Sequence, residues 1–142
     1  MAEVLLTIED LHVGYRVYGG TLKVLDGIQL VVHTGEKVGV VGETGCGKTT
    51  TMRSVLGILP RQAVIGGGRV GFKGRDVLAA GSRGVRAVRP EGMSMIFQDP
   101  TAALNPVFTI GEQLADVIKY SQVEREPQQS VMDLAAEALR QS

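Results

Sequence analysis

The sequence is poor in aromatic residues, has no tryptophan and has a single cysteine, Cys46. A lone cysteine excludes an internal disulfide, so a reducing compartment is expected, and no secretory signal is visible. Acidic and basic residues balance at 15 each, which leaves no basic excess for binding nucleic acid. No apolar run approaches the roughly 20 residues that a membrane helix needs, so no direct membrane span is expected.

Apolar residues make up 44% of the 142 positions, enough for one core of ordinary size, and 19 residues are glycine. Short apolar or alternating runs predict strands over residues 4–8, 13–18, 28–32, 38–41, 69–72 and 93–97. Glycine-containing segments predict turns at 19–20, 34–36, 66–68 and 73–75. Of the strands, Val38–Val41 is expected to be buried in a mainly parallel sheet.

Helical periodicity appears in three places. Met52, Val55, Leu56 and Leu59 share one helical face, which predicts a helix from near Lys48 to Pro60. Two further apolar faces predict helices over residues 110–118 and 131–139, joined by a polar link over residues 121–129.

The most specific pattern is Gly42-Glu43-Thr44-Gly45-Cys46-Gly47-Lys48-Thr49, which fits G-x-x-x-x-G-K-[ST]. Average residue usage gives a chance match in only about one chain in 200 of this length. The context is also right, because the pattern follows an apolar run and opens a predicted helix. The sequence therefore predicts a site for a nucleoside triphosphate, ATP with Mg²⁺.

Each part of this loop has a physical role in holding a polyphosphate. Glycines let backbone N–H groups point toward the anion, and the helix that follows adds the positive end of its dipole. Lys48 is expected to reach the β- and γ-phosphates as a point charge. The Thr49 hydroxyl is expected to ligate Mg²⁺.

Two stretches together resemble a known family. Residues 35–59, GEKVGVVGETGCGKTTTMRSVLGIL, are similar to the start of an ABC transporter ATPase subunit, and residues 93–114, MSMIFQDPTAALNPVFTIGEQL, are similar to that family's Q-loop region. The second stretch resembles the branch that imports dipeptides, oligopeptides and nickel. The resemblance implies an α/β P-loop NTPase fold of the ABC ATPase type. It also implies an N-terminal antiparallel β subdomain, the start of a helical subdomain and an incomplete core sheet.

The resemblance also implies roles for individual residues. Nucleotide would be bound by the loop residues together with an aromatic ring that stacks on adenine: Tyr15, Gly42, Glu43, Thr44, Gly45, Cys46, Gly47, Lys48, Thr49 and Thr50. Tyr18 is the alternative stacking residue. Gln98 would contact Mg²⁺ or the water near the γ-phosphate, as a catalytic sensor, and would share the metal with Thr49.

The implied partners are transmembrane permease subunits, through the Gln98–Phe108 region, and a second ATP-binding subunit. Apolar residues of that region, Leu104, Val107 and Phe108, could instead pack in a small core. The implied location is cytoplasmic, peripheral on the inner face of the cell membrane. The implied division is residues 1–108 for the N-terminal part of the ATPase domain, with phosphate loop and Q-loop, and residues 109–142 for the start of a truncated helical subdomain.

Three motifs of the family are missing from these 142 residues: the LSGGQ-like signature, the apolar run ending in Asp-Glu, and the switch histidine. Hydrolysis needs a group that positions water, so the isolated chain is expected to bind ATP without appreciable turnover. The main prediction is that the chain is the ATP-binding subunit of a peptide importer, which couples ATP binding and hydrolysis to transport. The alternatives are a truncated, non-hydrolysing regulatory fragment and an unrelated P-loop enzyme such as a small-molecule kinase.

Overall fold

A computed structural model describes residues 2–78, 93–99, 104–120 and 130–141. The chain divides into two compact units, Met1–Arg89 and Pro90–Ser142, which are treated separately below. This division differs from the predicted subdomain boundary after residue 108, which rests on family resemblance and stays a prediction. The ambiguous segment 79–92 and the polar link 121–129 lie outside the described residues.

The first unit is built on a long antiparallel hairpin of β1 (Val4–Val17) and β2 (Gly20–His33). Two separate strands were predicted before Gly19, but the structure has one continuous strand of 14 residues. The residues between the two predicted strands coincide with an irregularity in the pairing of β1 with β2. Asp10 there has a φ of 48°, and the register of the two strands shifts. A bulge of this kind inserts a residue while the strand continues. The turn at Thr34–Gly35 is confirmed.

On its other edge, β1 pairs with β3 (Ala63–Phe72), which pairs with the two-residue β4 (Arg75–Asp76) in the order β2-β1-β3-β4. The predicted turn at Gly66–Gly68 is wrong, because all three glycines lie inside β3. Gly68 has a φ of 94°, and a Cβ there would stand 2.6 Å from the Cα of Leu11. Gly68 therefore serves close strand approach rather than chain reversal. The turn at Lys73–Gly74 is confirmed.

Apolar side chains from the hairpin, β3 and the helix after the phosphate loop form the core of this unit. Its buried members are Ile8, Leu11, Val13, Leu25, Val55, Leu56, Val70, Phe72 and Val77. Two polar residues of that helix, Thr51 and Ser54, are also buried. Thr51 donates from Oγ1 to the carbonyl of Gly47 at 3.0 Å, and Ser54 donates from Oγ to the carbonyl of Thr50 at 2.7 Å. These bonds satisfy hydroxyls that would otherwise be costly to bury.

The segment before the phosphate loop differs from its prediction. Between the turn at Gly35 and the helix α1 (Lys48–Val55), the fully described backbone contains no strand. Val38 is 42% exposed and Val41 is 97% exposed, so the predicted buried strand Val38–Val41 is wrong for this structure. The physical reason is that no described strand lies beside this segment to accept its hydrogen bonds.

The helix α1 begins at Lys48 as predicted but ends at Val55, before Leu59 and Pro60. The predicted end at Pro60 is therefore wrong. Gly57 follows the helix with a φ of 59°, and its N–H donates to the carbonyl of Ser54 at 3.1 Å. A glycine in the left-handed region is a common way to end a helix, and here it acts before the proline does.

The second unit contains α2 (Ile110–Tyr120) and α3 (Val131–Gln141), both as predicted. Each begins with a reciprocal capping pair, in which Thr109 and Glu112 cap α2 and Ser130 and Asp133 cap α3. The two helices contact each other. Residues 93–97 form no strand, so that prediction is wrong. Among the helices in the described parts of the chain, none is long and apolar enough to cross a bilayer.

Candidate functional site

The phosphate loop folds around its own lysine. The Lys48 Nζ donates to the carbonyl of Gly42 at 2.6 Å and to the carbonyl of Glu43 at 2.7 Å, and lies 3.5 Å from the Cys46 Sγ. The Cys46 N–H donates to the Glu43 carbonyl at 3.3 Å, which closes a tight turn inside the loop. These bonds fix one positive charge at the centre of the loop.

Close contacts require two of the glycines, and at one of them, Gly47, the backbone conformation requires glycine as well. A Cβ on Gly42 would stand 2.7 Å from the Cys46 Sγ. Gly47 is buried, has a φ of 98°, and a Cβ there would stand 2.6 Å from the Leu25 Cδ2. The end of the loop therefore rests directly on β2, which is why the hairpin positions the start of α1.

The start of α1 presents backbone donors beside the charge of Lys48. Gly47 is the N-cap residue, no side chain caps the helix, and the first turn has no acidic residue. The first backbone bond of the helix runs from the Thr51 N–H to the Gly47 carbonyl at 2.8 Å. The N–H groups of Lys48, Thr49 and Thr50 thus have no acceptor within the helix, as at any helix N-terminus. Such donors, together with the dipole and an ammonium, suit a polyphosphate anion.

Three consecutive threonines in this turn have different environments. Thr51 is buried and uses its hydroxyl on the Gly47 carbonyl. The Thr50 Oγ1 lies 3.4 Å from the Tyr15 hydroxyl. Thr49 is exposed, and its side chain makes no hydrogen bond within the described residues. Thr49 is therefore the threonine whose hydroxyl is available for a cation, and a hydroxyl oxygen is a suitable ligand for Mg²⁺.

Of the two tyrosines considered for the base, only Tyr15 lies at the loop. Tyr15 is half-buried on β1 and reaches Thr50 in the first turn of α1. Tyr18 is fully exposed in the turn between β1 and β2. No sequence pattern had predicted the link between Tyr15 and Thr50, which depends on how the hairpin folds over the loop.

The remaining predicted residues belong to the second unit. Gln98 is exposed, and residues 100–103 of the predicted permease-facing region lie outside the described residues. The described part of that region is tied to α2 by Gln113, which donates from Nε2 to the carbonyls of Asn105 and Phe108, both at 3.0 Å. Gln113 Oε1 also accepts the Asn105 N–H at 2.8 Å. The role of Gln113 was not predicted, because its only signal in the sequence is an amide in the first turn of a predicted helix.

Hydrogen bonding to Thr109, first through its hydroxyl and then through its backbone, holds the pKa of Glu112 below the ordinary value. Within the described parts of the chain, no three His, Cys, Asp or Glu side chains converge into a metal site.

Comparison with known proteins identifies the family. The ABC transporter family model matches residues 25–142. The dipeptide transport ATP-binding protein DppD of Bacillus subtilis is 40% identical over 117 residues, which cover 82% of this chain and 35% of that protein. The probable peptide ABC transporter ATP-binding protein y4tR of Sinorhizobium fredii is 42% identical over 119 residues, 83% of this chain and 36% of that protein.

A third relative is the oligopeptide transport ATP-binding protein OppD of Salmonella typhimurium. It is 38% identical over 117 residues, which cover 82% of this chain and 35% of that protein. The chain thus spans about a third of the length of these curated relatives. The match over residues 25–142 includes most of the chain and the whole phosphate loop, and the chain belongs to the ABC transporter family of P-loop ATP-binding proteins.

Proposed function

We propose that this chain is the ATP-binding part of an ABC importer subunit that serves peptide uptake. The observation that carries the proposal is the phosphate loop, in which Lys48 is fixed beside the donor end of α1. The names of the relatives, which describe dipeptide and oligopeptide transport, support the solute class. ABC ATP-binding domains as a family use ATP, and the intact subunit would couple its hydrolysis to transport.

In this proposal the residues of the first unit divide the work of holding Mg·ATP. The backbone N–H groups of residues 42–50 and the Lys48 ammonium bind the phosphates. The exposed Thr49 hydroxyl ligates Mg²⁺, which neutralises charge on the phosphate oxygens when it is bound. Tyr15 stacks on the base. Gln98 shares the metal or orients water, and this proposed role rests on the resemblance of residues 93–114 to a Q-loop.

The partner proposals concern the second unit. The segment from Gln98 to Phe108 would meet a permease subunit, and a second ATP-binding subunit would complete the nucleotide site. Leu104, Val107 and Phe108 are all exposed, with Val107 at 81%, which supports an interface role for the described part of this segment. Such a subunit would be cytoplasmic and peripheral on the inner face of the membrane.

The test of the phosphate site is an ATP titration by calorimetry, with and without Mg²⁺, on the wild-type chain and on Lys48→Ala. Lys48→Ala is expected to abolish binding because it removes the charge at the centre of the loop. Lys37→Ala is the matched control, since Lys37 is an exposed lysine outside the loop, and it is expected to bind as the wild type does. Equal affinity in wild type and Lys48→Ala would reject the loop assignment.

We further propose that the 142-residue chain alone binds ATP with negligible turnover. The support is chemical, because these residues include neither the acidic pair nor the signature that the family uses for hydrolysis. A phosphate-release assay at saturating Mg·ATP checks this. Steady release that disappears in Lys48→Ala would contradict the proposal.

A further inference from the structure

The contact between Tyr15 and Thr50 joins two parts of the nucleotide site that are far apart in sequence. The Tyr15 hydroxyl lies 3.4 Å from the Thr50 Oγ1, and both side chains are half-buried. The backbone at Tyr15 is fixed on both sides, because Tyr15 pairs with Leu22 of β2 and with Ala63 of β3. Only the ring torsions of Tyr15 remain to be restrained, and a contact at the hydroxyl restrains them.

Thr50 is suited to restrain the ring because the helix holds its backbone. Its carbonyl accepts the Ser54 Oγ at 2.7 Å, and Ser54 is fully buried. Its hydroxyl is not used inside the helix, in contrast to that of Thr51, which bonds back to Gly47. The Thr50 hydroxyl therefore faces the hairpin from a fixed backbone, and its one hydrogen-bond partner among the described residues is the Tyr15 hydroxyl.

We infer that Thr50 is a positioning residue for the base of the bound nucleotide, acting by tethering the Tyr15 ring to the first turn of α1. The inference rests on the proposed function, since it takes Tyr15 as the stacking residue. Tethering reduces the torsional freedom that the ring would lose on stacking against a purine, so less entropy is lost on binding. The tether acts on the base and leaves the phosphate contacts of Lys48 unchanged.

This role predicts an effect that depends on the ligand. Inorganic triphosphate carries the same phosphates as ATP and no base. A residue that acts through Tyr15 therefore changes the affinity for ATP and leaves the affinity for triphosphate unchanged. A residue that acts on the phosphates changes both affinities alike.

The experiment measures Mg·ATP and Mg·triphosphate binding by calorimetry for Thr50→Val, Thr50→Ser, Tyr15→Phe and the Thr50→Val/Tyr15→Phe pair. Thr50→Val keeps the shape and removes the hydroxyl, and Tyr15→Phe keeps the stacking ring and removes its hydroxyl. Each single variant is expected to weaken ATP binding by about 2- to 10-fold, the range for loss of one hydrogen bond. The double variant is expected to lose no more than either single variant, because both remove the same contact. Thr50→Ser keeps the hydroxyl and is expected to match the wild type.

Three results would overturn the inference: an equal loss of ATP and triphosphate affinity in Thr50→Val, no loss in either single variant, or additive losses in the double variant. If Thr50→Val fails to fold, as judged by a thermal melt, Tyr15→Phe and Thr50→Ser still decide, because Tyr15→Phe must then weaken ATP alone while Thr50→Ser does not. A different result would show that the proposed phosphate site itself is wrong. In that case Lys48→Ala binds both ligands as well as the wild type.

Discussion

Gly47→Ala is expected to destabilise the first unit for two separable reasons. Gly47 has a φ of 98°, which lies in a region of backbone conformation that residues other than glycine rarely adopt. The added Cβ would also stand 2.6 Å from the Leu25 Cδ2. Leu25 is only 1% exposed, so its methyl group has little room to move aside.

The magnitude follows from these two terms. The unfavourable backbone conformation costs about 1–2 kcal/mol. Inserting a carbon into packed surroundings costs about 1–3 kcal/mol more. The loss in the free energy of unfolding should therefore be about 2–5 kcal/mol, a large share of the 5–15 kcal/mol typical of a folded domain.

Gly45→Ala is the matched control for the packing term. Gly45 lies in the same loop with a φ of 87°, but a Cβ there meets nothing within 4 Å. It should lose only the conformational part, about 1–2 kcal/mol. Urea unfolding followed by circular dichroism measures both variants, and the urea midpoints should differ by roughly 0.5–2 M. Equal losses in the two variants would refute the claim that the loop rests on Leu25.

Three further predictions concern packing, capping and access to the loop. Leu25→Ala should cost about 2–5 kcal/mol in urea unfolding, whereas Leu22→Ala on the same strand, 58% exposed, should cost within about 0.5 kcal/mol; equal costs would contradict the core assignment. Because Thr109 lowers the pKa of Glu112, the stabilisation of α2 by the Glu112 carboxylate is complete above the ordinary pKa of 4.5 and disappears as the pH falls through the lowered pKa. Glu112→Gln should remove that pH dependence of the helical circular dichroism signal, and an unchanged titration would contradict it. The Cys46 Sγ lies 3.5 Å from the Lys48 Nζ, so labelling Cys46 with a maleimide should block ATP binding. Cys46→Ser should still bind ATP after the same treatment. Retained ATP binding by the labelled wild type would contradict this prediction.

Features that depend on neighbours in sequence were predictable. The phosphate loop and the start of α1 follow from glycine placement and from the lysine that opens the helix. The starts of α2 and α3 follow from their apolar faces, and in the structure a threonine or serine three residues before a carboxylate caps each of them. Bonds between near neighbours form in much the same way in any tertiary context.

Features that depend on distant partners were not predictable in the same way. The apolar run Val38–Val41 predicts a buried strand, but a strand requires hydrogen bonds from an adjacent strand. The sequence pattern does not identify that adjacent strand. Gly66–Gly68 reads as a turn because glycine permits both a turn and close strand contact. Only the pairing of β3 with β1 distinguishes the two.

The candidate site shows the same limit. The loop was predicted from the sequence, and the contacts of its residues were not. The contact of Thr50 depends on the hairpin that folds over α1, because its partner is Tyr15, whereas Thr51 bonds to the Gly47 carbonyl one turn back. Gln98 and the base-stacking role of Tyr15 stay predictions until they are tested by binding.

The contact of Gly47 with Leu25 restricts how this protein can diverge. The space beside the loop is shared by the two positions, so volume added at position 47 must be offset by volume lost at position 25. A related chain with alanine or serine at position 47 would still bear the cost of the φ of 98°, and it should carry a smaller residue than leucine at position 25 to relieve the contact. The hairpin, as well as the nucleotide, thus limits which residues the third glycine position of the phosphate loop can accept.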